Sequence, residues 1–193
     1  MLKIWSMKKE QQKADNADAL SGKKRKVKAA ELRVHKDLAE LSLPKTMKLE
    51  YADPDDILNF KVIITPDVGY YVGGQFSFDV AVPQSYPHEP PKVRCEPTIY
   101  HPNIDLEGKV CLNILREEWK PVLNLNAVFI GLQFLFDHPN ELDPLNKDAA
   151  KDLSDSKRNE SSRRGKTSFE QNVATSMSGG KFGGVEYTRV LID

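Results

Sequence analysis

Four short segments rich in β-branched and aromatic residues lie at residues 47–52, 57–65, 75–82 and 92–95. The turn-forming stretches Asp53-Pro54-Asp55, Pro66-Asp67-Val68-Gly69 and Gly73-Gly74 separate the first three. Connections this short constrain the fold, because parallel neighbours need a crossover of a dozen or more residues, whereas antiparallel strands can be joined by a few. The expectation is a four-stranded antiparallel meander. Residues 83–91, with Pro87, Pro90 and Pro91, form a rigid extended segment that ends the third strand and sets the entry to the fourth.

Helical periodicity brackets this β region. Val34, Leu38 and Leu41 recur at helical spacing within residues 29–41, and Pro44 blocks continuation. Leu125, Val128, Phe129, Leu132, Phe134, Leu135 and Phe136 give a second helix with a wide apolar face, ending before Pro139 and suited to cover the sheet. Further helices are expected at residues 146–153 and 167–177. Between them, residues 154–168, rich in Ser, Lys and Arg, read as an exposed loop or a frayed helical extension. The fold class is therefore α+β: an N-terminal helix, a four-stranded antiparallel meander and C-terminal helices. Its parts are a flexible basic extension at residues 1–28, a core at 29–180 and a tail at 181–193.

At 193 residues, one domain with a substantial core is expected. The formal net charge of +0 gives no overall preference for nucleic acid or membrane, so neither is expected as a partner. The balance hides an asymmetry, since residues 1–30 hold nine Lys and Arg against three acidic residues. That stretch lacks the apolar area to offset its ordering entropy and reads as a tether. Its tip differs: Leu2, Ile4, Trp5 and Met7 are apolar anchors suited either to docking on a partner or to packing back on the domain. The basic run at residues 23–26 reads as a solvated linker or a nuclear address. Two cysteines without a disulfide or metal-ligand pattern fit a reducing compartment, and no apolar run is long enough to span a bilayer. A soluble intracellular monomer is expected.

The chemistry concentrates in residues 96–123, a long irregular stretch of the kind that usually has a role. Within Tyr100-His101-Pro102-Asn103-Ile104-Asp105-Leu106-Glu107-Gly108-Lys109-Val110-Cys111-Leu112, a carboxamide and a thiol stand at fixed spacing. A free thiol with a pKa of about 8.5 is only a few per cent thiolate at neutral pH, but thiolate is a strong nucleophile toward a reactive thioester. Cys95, in a strand, reads as a buried inert thiol, and Cys111, in a polar loop, as the exposed one. His101 and Asn103 invite comparison with a Cys-His-Asn hydrolase, but such partners come from separate parts of a chain. A base beside Cys111 would also activate water and discharge the thioester. His101 is therefore expected to brace backbone. Asn103 offers an oxyanion donor or a loop support.

The ordered set Tyr86-Pro87-His88-Glu89-Pro90-Pro91, His101-Pro102-Asn103, Cys111-Leu112, Trp119-Lys120-Pro121, Pro139-Asn140 and Asp143-Pro144-Leu145 resembles the conjugating enzymes of the ubiquitin and ubiquitin-like systems. The match runs from about residue 29 to about residue 180. Within that family, Val110 to Leu123 and Asp143-Pro144-Leu145-Asn146-Lys147 look most like the enzymes that carry the Nedd/Rub modifier. The resemblance implies that Cys111 receives the modifier's C-terminus as a thioester from a heterodimeric activating enzyme. It assigns Asn103 to oxyanion or loop support and Asp143 to orienting and deprotonating the attacking lysine, whose amine, with a pKa near 10.4, is mostly protonated. Asp143 before Pro144 also reads as a turn residue. His88, Trp119, Pro121 and Val122 fall where the family meets its ligases, and Trp119 also reads as packing over the active-site loop. Leu2, Ile4, Trp5 and Met7 fall where this subfamily docks on the activating enzyme, and Met1 where it meets a co-ligase.

The function implied is transfer of a Nedd/Rub-type modifier to substrate lysines with a RING-type ligase, on cullins, in cytoplasm and nucleus. No metal or organic cofactor is implied for this chain, ATP being used by the activating enzyme. The competing readings are a ubiquitin carrier of the same fold, a non-catalytic scaffold for modifiers or ligases, and a cysteine hydrolase. Glu141-Leu142 departs from the family's usual proline-containing sequence before Asp143, and residues 154–168 exceed its usual helix connection.

Overall fold

A computed structural model describes residues 28–158 and 166–192. The apolar tip with Met1, Leu2, Ile4, Trp5 and Met7, the basic run at 23–26 and residues 159–165 lie outside the described residues. Helix α1 (Ala29–Ala39) leads into strands β1 (Met47–Glu50), β2 (Asn59–Ile64), β3 (Phe76–Ala81) and β4 (Lys92–Cys95), all antiparallel in the order β1-β2-β3-β4. A single 3-10 turn (Asn113–Leu115) precedes α2 (Leu125–Asp137), followed by α3 (Lys147–Arg158), α4 (Ser168–Met177) and a hairpin of β5 (Lys181–Phe182) and β6 (Val185–Glu186).

Register explains which face of the meander is covered. Phe60 pairs with Val80, Val62 with Phe78 and Ile64 with Phe76, so alternation aligns all six buried side chains on one face. Phe129 and Phe136 of α2 meet them edge-on or tilted, at 6.2 Å from Phe60, 4.5 Å from Phe76 and 5.9 Å from Phe78. The intervening residues Lys61, Asp79 and Arg94 share the opposite face, where Lys61 also bonds Glu96. Asn124 caps α2 by accepting from the Ala127 amide at 3.0 Å, and Thr167 and Glu170 form a reciprocal capping box on α4.

Of the two readings for the residues after 153, the helical extension holds as far as Arg158, where the last turns are laced by Lys151–Asp155 at 2.9 Å and Arg158–Asp155 at 3.0 Å. Another segment differs from the sequence expectation. Residues 181–192, assigned to a tail, fold back on the core. Tyr187 and Val190 are buried there, and Phe182 and Tyr187 both pack on Tyr100.

A buried carboxylate ties α1 to the segment entering α2. Asp37, 2% exposed, accepts from Arg33 Nε at 2.8 Å, from the Leu125 amide at 3.2 Å and from the Tyr86 hydroxyl. Arg33 in turn donates to the carbonyls of Pro121 at 2.9 Å and Leu123 at 2.6 Å. Removing the carboxylate leaves three buried or half-buried donors without their acceptor. Asp37→Ala is therefore expected to lower unfolding free energy by about 3 kcal/mol in urea titrations.

Candidate active site

The thiol is delivered by irregular backbone that is nevertheless tightly bonded. Residues 105–109 turn back on β4: the Cys95 amide donates to the Gly108 carbonyl at 2.8 Å, and Arg94 Nε to the Glu107 carbonyl at 2.8 Å. Gly108 has φ +83°, and a Cβ there would stand 1.9 Å from the Cys95 carbonyl oxygen, so the turn requires glycine. The Cys111 amide then donates to the Asn103 carbonyl at 2.8 Å.

Asn103, 2% exposed, joins this segment to the loop carrying Asp143. Its Nδ2 donates to the carbonyls of Asn140 at 2.8 Å and Asp143 at 3.3 Å, and its Oδ1 accepts from the Asn140 amide at 2.9 Å. The Pro102 carbonyl accepts from the amides of Leu145 at 2.9 Å and Asn146 at 3.0 Å. Of the two readings for Asn103, this geometry displays the loop support.

His101 is fully buried and stacks on Tyr71 at 5.0 Å. Its Nδ1 accepts from the Asn103 amide at 2.9 Å, leaving Nε2 to donate to the Leu135 carbonyl at 3.0 Å. Burial holds its pKa down at about 4, so the ring is neutral at physiological pH. It braces backbone, as the sequence led one to expect.

Cys111 is only 6% exposed, in contrast to the open position expected from its polar surroundings. Two side chains close over it. Its Sγ donates to Asp143 Oδ2 at 3.1 Å and accepts from Arg116 Nη2 at 2.8 Å, while the same nitrogen donates to Asp143 Oδ2 at 3.0 Å. The thiol borders a shallow cavity of about 220 Å³, also lined by Asn103, Leu112, Phe134, His138 and Asp143. Burial and the Asp143 carboxylate push the thiol's pKa up, against the Arg116 charge. Asp143 is held below the ordinary carboxylate range by the thiol and by Arg116. Its carboxylate therefore faces the thiol rather than capping its own turn. Cys95 is buried, and desolvation pushes its thiol far up, as expected for an inert one.

The two loops read as ligase-facing meet through Trp119, whose Nε1 donates to the Pro87 carbonyl at 2.8 Å and whose ring lies 5.8 Å from Tyr86. His88, Pro121 and Val122 are exposed around it, Val122 at 82%. Trp119 thus packs, and its neighbours present a surface. Sequence reasoning did not single out Arg116, Arg33 or Asp37. Arg116 lies five residues past the thiol, and only the 3-10 turn brings it back.

A meander backed by one apolar helix, with a thiol and a carboxylate set on loops above it, is the ubiquitin-conjugating architecture. The chain belongs to that family: the model described as "Ubiquitin-conjugating enzyme" matches residues 33–168. Among its relatives, the "NEDD8-conjugating enzyme UBC12" of Yarrowia lipolytica is 55% identical over 100% of this chain and 99% of its own. The "Nedd8-conjugating enzyme UbcE2M" of Drosophila melanogaster is 51% identical over 95% of this chain and 94% of its own. The solved structure "S. cerevisiae Ubc12" superposes with a TM-score of 0.77 at 41% identity, covering 99% of this chain and 100% of that one.

Two outcomes follow from this geometry. Because the His101 pKa is about 4 when folded against an ordinary 6.5, the unfolded chain binds the extra proton between those values. Stability present above pH 6.5 should fall by about 3 kcal/mol as pH drops to about 4, with His101 remaining neutral in NMR titration until the lower limit. Asn103→Ala should accelerate hydrogen exchange at the Asn140 amide and at the neighbouring loop, with α2 remaining protected.

Proposed function

We propose that this chain is a NEDD8-conjugating transferase: it accepts the modifier from its activating enzyme as a Cys111 thioester and passes it to substrate lysines. The observation that carries the reading is the pairing of the Cys111 thiol with Asp143 at 3.1 Å, while the nearby imidazole of His101 is committed to the core. Relatives named for this activity match it over nearly their whole length.

In loading, Cys111 Sγ attacks the thioester carbonyl presented by the activating enzyme. The new C–S bond replaces the old one, and the departing cysteine leaves as thiolate. The proton of the Cys111 thiol passes to water. In transfer, the lysine amine attacks the same carbonyl, an isopeptide bond forms, and Cys111 leaves as thiolate. Asp143, exposed at the mouth of the cavity, orients the amine and accepts a proton from it. Asn103 acts by holding the 140–143 loop, and thereby the carboxylate, in place. A carrier needs its thioester to outlast its formation, which fits a thiol enclosed by its neighbours more than one set beside a free base.

The exposed His88, Pro121 and Val122, with Trp119 joining their loops, form the surface for a RING-type ligase, and cullins are the acceptors. The extension with Leu2, Ile4, Trp5 and Met7 docks on the activating enzyme, and Met1 on a co-ligase. In this reading the enzyme works in cytoplasm and nucleus, with ATP consumed by the activating enzyme.

Charging with ATP, activating enzyme and NEDD8, resolved on non-reducing gels, tests the reading. Wild type should form a thiol-sensitive adduct that Cys111→Ala lacks, and preferential charging with ubiquitin would reject the choice of modifier. In single-turnover assays Asp143→Asn should load near normally yet discharge to lysine about 10²-fold more slowly. Equal losses in both half-reactions would remove Asp143 from the lysine step.

A further inference from the structure

One guanidinium nitrogen contacts both reacting partners of the resting site. Arg116 Nη2 stands 2.8 Å from Cys111 Sγ and 3.0 Å from Asp143 Oδ2, and those two atoms are 3.1 Å apart. The triangle is built by local backbone. Within the 3-10 turn the Leu115 amide donates to the Leu112 carbonyl at 2.9 Å and the Arg116 amide to the Asn113 carbonyl at 2.9 Å, reversing the chain over the thiol. The turn sits on α2 where Gly131 leaves room. A Cβ there would meet Ile114 Cδ1 at 3.0 Å and Leu112 Cδ2 at 3.1 Å.

The geometry points to Arg116 as the positioning residue that makes Cys111 and Asp143 compatible: its charge offsets the carboxylate beside the thiol, so that thiolate can form for loading. Without it, an anion would have to form 3.1 Å from another anion. Like charges at that separation disfavour ionisation, and a cation in contact with both favours it. Other titratable groups on the cavity wall are Glu118, whose Oε1 accepts from Asn113 Nδ2 at 3.3 Å, and His138, whose ring lies 4.7 Å from Phe134. Among the described residues, the side chains bonded to the sulfur are those of Arg116 and Asp143.

The role changes between half-reactions. Before loading, Arg116 faces a sulfur that must become negative. Once Cys111 carries an acyl group, the sulfur has no charge to stabilise, and the guanidinium retains Asp143 at the thioester for the incoming amine. This assignment rests on the transferase reading for its consequence, but its electrostatic core is a property of the uncharged protein. The pair is partly exposed, with side-chain accessibilities of 46% and 62%, so water and salt moderate the effect.

The test uses full-length protein and iodoacetamide, with the alkylation rate at Cys111 followed by intact mass and peptide mapping across pH. Arg116→Ala should move the midpoint of the profile upward and slow alkylation at pH 7 by about three- to tenfold. Arg116→Lys should recover part of the rate, and 1 M salt should shrink the gap between wild type and Arg116→Ala. Asp143→Asn should move the midpoint downward, and the double variant should return toward wild type. In single-turnover loading, the Arg116→Ala deficit should appear in the maximal rate and shrink as pH rises, with the concentration dependence on activating enzyme unchanged. An unchanged or lowered alkylation midpoint in Arg116→Ala would overturn the assignment. Because alkylation needs no modifier, that outcome is distinct from a failure of the charging assay, which would count against the transferase reading alone.

Discussion

The site depends on a set of backbone-directed bonds made by two consecutive residues. Pro102 offers its carbonyl to the amides of Leu145 and Asn146, and Asn103 spends both ends of its carboxamide on Asn140 and Asp143. The Asn103 carbonyl also receives the Cys111 amide. Thiol and carboxylate, 32 residues apart in sequence, are thereby referred to the same short piece of chain. Each neutral bond adds only about 1 kcal/mol net, but leaving buried backbone groups unsatisfied would cost more, so the arrangement resists partial opening. His101 supplies the anchor beneath it, since its two ring nitrogens connect Asn103 to the Leu135 carbonyl on α2.

That anchoring matters because the reactive atoms sit on irregular backbone, which ordinarily moves more than the elements it connects. Rigidity is imported from the aromatic contact between sheet and helix. Phe136 touches Tyr71, Phe76, Phe78 and His101, so the ring that closes the core also abuts the imidazole that fixes the active-site turn. On the far side, the Asp37 cluster fixes the entry to α2 and, through Arg33, the carbonyls of Pro121 and Leu123. The helix is held at both ends by polar groups that also position functional loops.

The strands were legible because their code is local: alternating apolar residues, β-branched side chains and turn residues at the joints. Their ends were less so. Tyr51 packs at a tilt against Phe60 at 5.4 Å, yet β1 ends at Glu50, so apolar character alone overextended the strand. The end of α3 was left open by composition, since Ser and Lys read as loop or as helical extension unless one knows that Ser156 is covered. In the site, the spacing of Asn103 and Cys111 and the bracing role of His101 were visible. Arg116 was not, because nothing in Arg116-Glu117-Glu118 reveals a turn that points one side chain back at a sulfur. Asp37 was missed for the opposite reason: a carboxylate on an amphipathic helix is normally on the wet face.

Enclosure of the thiol also bears on why this site carries an acyl group instead of hydrolysing it. At 6% exposure the sulfur borders a cavity also lined by Asp143, so in the proposed transfer an entering amine meets the carboxylate beside the carbonyl. A lysine gains from that encounter: its charge is attracted to the anion, and desolvation and loss of a proton together leave a strong nucleophile. Water gains much less, being neutral and far harder for any carboxylate to deprotonate. A carboxylate is thus a poor activator of water, yet at physiological pH it is charged and attracts an ammonium. In the proposed transfer, amine is favoured over water by a weak base placed beside the carbonyl, where the incoming cation meets it.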